Sequence, residues 1–161
     1  MKQKMETRYP ASSDVVIKMM TDKKFHCDRL ELQGLKVYEV VSHKSDSKNF
    51  SIKFKRNVPM AVPAALKKFV GSQNTVIHED SWNVATKKGA VTVEIQGMPI
   101  QMSAVTSLRD EGKGCVMTYE WEIKSKIPLV GGTIEKAVAA ENEKAIPEQA
   151  RAGVQLLKNY L

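Results

Sequence analysis

The stretch Val76-Ile77-His78-Glu79-Asp80-Ser81-Trp82 holds the residues of this chain best suited to chemistry. On a strand, His78 and Asp80 share a face with Val76 and Trp82, about 6 to 7 Å apart at the backbone. Turned inward, an imidazole and a carboxylate enter an apolar setting where each needs a partner. They would then serve as a polar anchor for a ligand or as an acid–base pair. Turned outward by strand twist or a bulge, they are ordinary solvated surface. The spacing allows electrostatic coupling without dictating a short hydrogen bond. A neighbouring carboxylate favours the protonated imidazole and burial opposes it, so the sign of any shift stays open.

No other group of residues competes with this one. His26 and His43 stand at no spacing that matches His/Cys or His/Glu ligation, so no metal and no cofactor is expected, and no nucleophile–base pair designates catalytic residues. Cys27 and Cys115 lack a Cys-x-x-Cys spacing and read as reduced structural thiols, a single disulfide between them being the other option. Gly131-Gly132 precedes a helix expected to start near Thr133. Its backbone N–H groups suit an anion, but the lysine and further glycines of a phosphate loop are missing. Close chain packing or a hinge fits this pair better, and Glu135 falls in the first helical turn, where the dipole favours it.

The elements that must position these residues follow from pattern. Lys4 to Tyr9 reads as a strand closed by Pro10. Ala11-Ser12-Ser13-Asp14 offers caps to a helix with Val15, Val16, Met19 and Met20 on one face, and a second short helix covers Lys23 to Leu30. From Leu35 the period becomes two: Phe50, Ile52 and Phe54, then Val91, Val93 and Ile95, then Met117, Tyr119, Trp121 and Ile123 alternate with polar residues. Six strands are expected near 35–43, 49–57, 74–84, 89–96, 101–109 and 115–125, with turn residues between them. Short connections make an antiparallel meander with one face to cover, and the helical segment running to Leu161 covers it. The longer connection Val58 to Gly71 is apolar for a loop, a flap over an opening or a plain crossover.

At 161 residues the chain suits one domain, 1–161, undivided by any Ser/Gly/Pro-rich stretch. The net charge of +7 is scattered over Lys23-Lys24, Lys53-Lys55-Arg56, Lys67-Lys68 and Lys87-Lys88. Aromatics do not interleave with it as in RNA-binding surfaces. The expectation is a solvated basic surface with weak attraction to anionic surfaces and no specific nucleic-acid partner. Met1-Lys2-Gln3-Lys4-Met5 leads into Glu6 and Arg8 instead of an apolar run, and no segment approaches the roughly 18 apolar residues of a membrane span. A cytoplasmic location is expected.

The order β-α-α-β6-α is similar to the α+β helix-grip fold of the START-like superfamily (SRPBCC, polyketide cyclase/aromatase type). More narrowly, the chain resembles an uncharacterised bacterial family of that superfamily. The residues that carry this are Tyr9-Pro10-Ala11-Ser12, Met20-Thr21-Asp22-Lys23-Lys24-Phe25, Arg56-Asn57-Val58-Pro59 with Lys67-Lys68-Phe69-Val70-Gly71, the strand ending in Trp82, Gly97-Met98-Pro99, and Ile127 to Lys136. The resemblance implies a seven-stranded antiparallel sheet wrapped around a long C-terminal helix, with a deep cavity for an apolar or amphipathic ligand. It implies no established reaction. Pro147 departs from an unbroken final helix and implies a bend or a restart there.

On that architecture the residues expected to meet a ligand are Phe54, His78, Asp80, Trp82, Val93, Met102, Met117, Tyr119 and Trp121 from the strands, with Ile134, Val138 and Glu141 from the helix. Three functions compete. The first is binding of a hydrophobic small molecule, lipid-like or polycyclic. The second is a cyclase- or hydratase-like enzyme using His78, Asp80 or Tyr119, which needs two of them within hydrogen-bond reach in one pocket. The third is an interaction module, which needs a filled core.

Overall fold

The computed structural model describes residues 1–59 and 73–161. In chain order the elements are β1 (Lys2–Tyr9), α1 (Ser13–Met20), α2 (Lys23–Leu32), β2 (Tyr38–Ser45), β3 (Asn49–Pro59), β4 (Gln73–Asn83), β5 (Lys88–Ile95), β6 (Ile100–Glu111), β7 (Gly114–Ser125) and α3 (Gly131–Leu157). The strands make one antiparallel sheet, ordered β1-β7-β6-β5-β4-β3-β2. The expected seven-stranded helix-grip architecture is the one observed, with strand limits differing from the sequence reading by up to three residues.

Local chemistry sets the joints. Ser12 caps α1 by accepting from the Val15 amide, and Asp22 caps α2 by accepting from the Lys24 amide at 3.0 Å. Asp46 turns β2 into β3 by accepting from the amides of Lys48 and Asn49 at 2.7 and 2.8 Å. Asn83 does the same between β4 and β5, accepting from Thr86 at 2.9 Å. Alternation then sorts the faces: Ile100, Met102, Ala104, Thr106 and Leu108 of β6 are buried while their neighbours are more exposed. The same parity buries Phe50, Ile52 and Phe54 on β3 and Tyr119, Trp121 and Ile123 on β7.

The helix α3 covers this face. Its 27 residues span about 40 Å at 1.5 Å per residue, and Ile134, Ala139, Asn142, Ile146, Ala152, Gly153 and Leu157 point inward. Gln3 of β1 donates to the Ala139 carbonyl at 2.9 Å and accepts from Asn142 at 3.3 Å. Near the helix start, Glu135 accepts from the Ser125 amide at 3.0 Å, and beyond its end Tyr160 donates to Asp22 at 2.7 Å. Gly153 lets the last turns settle on β1: a Cβ there would stand 3.1 Å from the Tyr9 ring.

Three sequence expectations need correction. Helix α3 runs through Pro147 without restarting, since its neighbours on both sides are helical. It begins at Gly131, before Thr133, and an added Cβ at Gly131 would lie 3.2 Å from the Ser125 carbonyl, which favours close packing as the role of that glycine. The helix face is also rotated, so that of Ile134, Val138 and Glu141 only Ile134 is fully buried. The inward position is Asn142, a polar residue that hydropathy passes over, so Glu141 is left in solvent. Cys27 and Cys115 are free thiols. Of the apolar connection, Val58 and Pro59 belong to β3, and 60–71 lie outside the described residues. Among the described residues no helix is long and apolar enough to cross a membrane.

Candidate functional site

Between the inner face of the sheet and α3 lies a cavity of about 130 Å³. That is room for roughly four water molecules or one aromatic ring. Of the residues the sequence reading named, His78, Asp80 and Trp82 of β4, Val93 of β5, Met102 of β6, and Met117, Tyr119 and Trp121 of β7 line it. Four expected residues stand elsewhere. Phe54 packs edge-on against Tyr38, ring centroids 5.9 Å apart. Ile134 is buried nearer the start of α3, and Val138 is half-buried at the edge of the core. Glu141 is exposed and pairs with Lys144 at 3.6 Å. The register offset of α3 accounts for the last two, because a helix rotates about 100° per residue.

His78 and Asp80 face inward, at 8% and 6% exposure. The solvent-facing alternative fails because the ladders of β4 to β3 and β5 run without a bulge, setting His78 between Phe54 and Val93 and Asp80 between Ile52 and Val91. The His78 ring nitrogen Nε2 lies 3.1 Å from Asp80 Oδ2, closer than the backbone spacing alone required. Since an ionised carboxylate only accepts, Nε2 carries the proton and donates.

Helix α2 adds two groups that the sequence analysis did not select. Arg29 Nη2 lies 3.6 Å and His26 Nδ1 3.7 Å from the same Asp80 oxygen. His26 Nε2 is 2.7 Å from the Met20 carbonyl, which can only accept, so that nitrogen bears the hydrogen. Burial pushes His26 down to about 4, against the pull of Asp80 and with the help of Arg29. At neutral pH the ring is therefore uncharged and Nδ1 offers a bare lone pair. For Asp80, burial works to raise the carboxyl, but His78, with smaller contributions from His26 and Arg29, outweighs it and holds the group well below the usual carboxylate range.

Arg56 of β3 is the other missed residue. Its signal was available, because it continues the inward parity of Phe50, Ile52 and Phe54. His26 and Arg29 gave none, for α2 has little amphipathic contrast. Four polar atoms of the wall are buried without a hydrogen-bond partner: His26 Nδ1, Arg29 Nε, Arg56 Nε and Trp121 Nε1. Trp121 stacks on Tyr119 with centroids 6.3 Å apart. The Tyr119 hydroxyl donates to Met117 Sδ at 3.4 Å, away from the dyad, and burial raises its pKa well above the ordinary value. Among the described residues, no group of three or more His, Cys, Asp and Glu is arranged to hold a metal ion. Such a wall presents an oriented imidazole, one carboxylate, two guanidinium groups and an indole N–H to whatever occupies the space.

A family model described as "Protein of unknown function (DUF2505)" matches residues 4–157. The sequence matches no curated protein. Among solved structures, the chain is similar to norcoclaurine synthase from Thalictrum flavum, at TM-score 0.66 and 12% identity, with 98% of this chain and 86% of that one covered. It is also similar to a protein from Thermus thermophilus, at TM-score 0.65 and 15% identity over 99% and 98% of the two chains. A START superfamily protein from Mycobacterium smegmatis aligns at TM-score 0.59 and 11% identity over 99% of each chain. At these identities the likeness is one of fold, and it agrees with the START-like helix-grip reading.

Proposed function

We propose, for a chain that belongs to the DUF2505 family of proteins of unknown function, that it binds a small amphipathic molecule between the sheet and α3. The observation that carries this is the space of about 130 Å³ walled by Trp82, Met102, Met117 and Trp121, with unpartnered polar atoms around it. A core shaped only for stability leaves few voids and few unsatisfied polar groups. This wall has both, and an occupant that buries apolar area and accepts from the guanidinium and indole N–H groups would relieve the void and those three donors. Likeness in fold to a START superfamily protein supports the same reading. The present volume suits one ring. A lipid-like or polycyclic ligand would need the wall to widen, as ligand pockets usually run from about 300 Å³ upward.

The test is native mass spectrometry of freshly purified protein for a retained small molecule, followed by titration of tryptophan emission with a broad hydrophobic library. Quenching or a spectral shift that saturates is expected, since both tryptophans line the space. Flat titrations to the solubility limits, with no co-purifying mass, would refute the proposal. A second reading, a cyclase- or hydratase-like enzyme, is favoured by one observation: His78 and Asp80 are hydrogen-bonded at 3.1 Å inside the cavity. A carboxylate that orients an imidazole is an arrangement suited to general acid–base work. Turnover of a bound library member that disappears in Asp80→Asn, while binding persists, would establish it.

A further inference from the structure

Charge does not balance around the cavity. Among the described residues its wall holds two guanidinium groups, Arg29 and Arg56, and one carboxylate, Asp80. Arg29 and Asp80 face each other at 3.6 Å, and Asp80 is further committed to His78 at 3.1 Å. His26 is neutral at physiological pH and adds no compensating charge. Arg56 has no ion-pair partner among the described residues, and its Nε is buried without a hydrogen bond. Burial, and secondarily Arg29, lower its pKa and outweigh the smaller opposing pull of Asp80. An uncompensated cation in a half-buried site opposes folding unless something else neutralises it.

Across the cavity, Trp121 of β7 has its indole N–H buried with no acceptor at 4% exposure. Arg56 and Trp121 stand on opposite arms of the sheet, with β4, β5 and β6 between their strands. Trp82, Met102 and Met117 line the same space. Resting on the ligand-binding reading above, we propose that the occupant is an aromatic carboxylic acid of single-ring size. Its carboxylate is received by Arg56, and an acceptor at the far end of the ring takes the Trp121 N–H. A guanidinium matches a carboxylate with two parallel N–H donors, which a lysine cannot reproduce. The Arg29–Asp80–His78 group closes the adjacent wall and keeps Asp80 from pairing with Arg56.

Three probes test this by calorimetry on the full chain: 4-acetylbenzoate, the isosteric but uncharged 4-acetylbenzamide, and the hydrophobic library. Native protein is expected to bind the acid at least about tenfold more tightly than the amide, the scale of one charge-assisted hydrogen-bonded contact. In Arg56→Gln that preference should vanish while amide affinity is retained. In Arg56→Lys acid affinity should fall and amide affinity should hold, which keeps the test usable should the glutamine variant not fold. The indole N–H resonance of Trp121, identified through Trp121→Phe, should shift on binding. Equal affinity for acid and amide, or a preference that survives Arg56→Gln, would overturn the assignment while leaving the ligand-binding reading in place. So would library binding with neither benzoyl probe bound. Loss of every kind of binding would remove both.

Discussion

His26 is the residue whose chemistry is least expected from its type. Fully enclosed, it stacks on Phe50 with centroids 5.3 Å apart and gives its one ring hydrogen to the Met20 carbonyl. Its folded pKa of about 4 lies below the unfolded value of 6.5. Between those two values the unfolded chain takes up a proton that the folded one refuses, so stability falls as pH drops from 6.5 toward 4 and the loss levels off below that. A shift of this size corresponds to about 3 kcal/mol. Asp80, Arg29 and His78 are the groups that face the ring. Asp80, with its pKa depressed in the fold, keeps its contribution above the ordinary carboxylate range and loses it in stronger acid. Urea unfolding at a series of pH values should therefore show a decline between 6.5 and 4 that His26→Phe abolishes. A His26→Phe variant with the native slope would place the titration elsewhere. Sequence alone showed His26 only as a histidine without ligand spacing, because its properties come from what closes around it.

At the level of elements, α3 is the one under most tension between sequence and fold. Pro147 lies in its interior, exposed, where it removes an amide donor and crowds the preceding turn. The helix stays continuous because tertiary contacts on both sides hold it: Gln3 with Ala139 and Asn142 ahead of the proline, and Tyr9 under Gly153 behind it. Replacing the proline should therefore release stability instead of costing contacts. Pro147→Ala is expected to stabilise by about 2 kcal/mol or slightly more, the helix-propensity gain less the entropy that proline removes from the unfolded chain. Thermal melts would read this directly, and a destabilised variant would mean that the proline ring itself makes stabilising contacts. The strands hold no such conflict. Turn residues and pairing agree throughout, apart from the irregularity between Val40 and Ser42 of β2, and burial alternates on β6, though Cys115 to Tyr119 of β7 are all buried; the strand positions were legible to within a few residues.

For the whole molecule, the decisive feature is that α3 packs on β1 and β7 yet leaves a gap over the middle of the sheet. Filling the gap should separate binding from folding. Ala145 of α3 lines the cavity, and Ala145→Leu would occupy much of its 130 Å³. Melting temperature is expected to hold or rise, as buried methylenes each contribute about 0.8 kcal/mol, while tryptophan titrations with single-ring ligands go flat. A variant that still binds at native affinity would put the ligand outside this space. Local pattern was enough for the class of architecture: period two against period 3.6, with turn chemistry at the joints, fixes strands and helices because side-chain direction is a local property of the backbone. It also put Trp82, Met102, Met117, Tyr119 and Trp121 among the residues turned to the interior, but left the direction of His78 and Asp80 open until the unbroken ladders of β4 decided it. Left to long-range packing were the rotation of α3, so that Asn142 and not Glu141 faces in, and the choice of groups from α2 and β3 that join β4. Those outcomes depend on contacts between residues distant in the chain, where a hydrogen bond such as that of Asn142 to Gln3, or the approach of Arg29 to Asp80, outweighs the hydropathy of either residue alone.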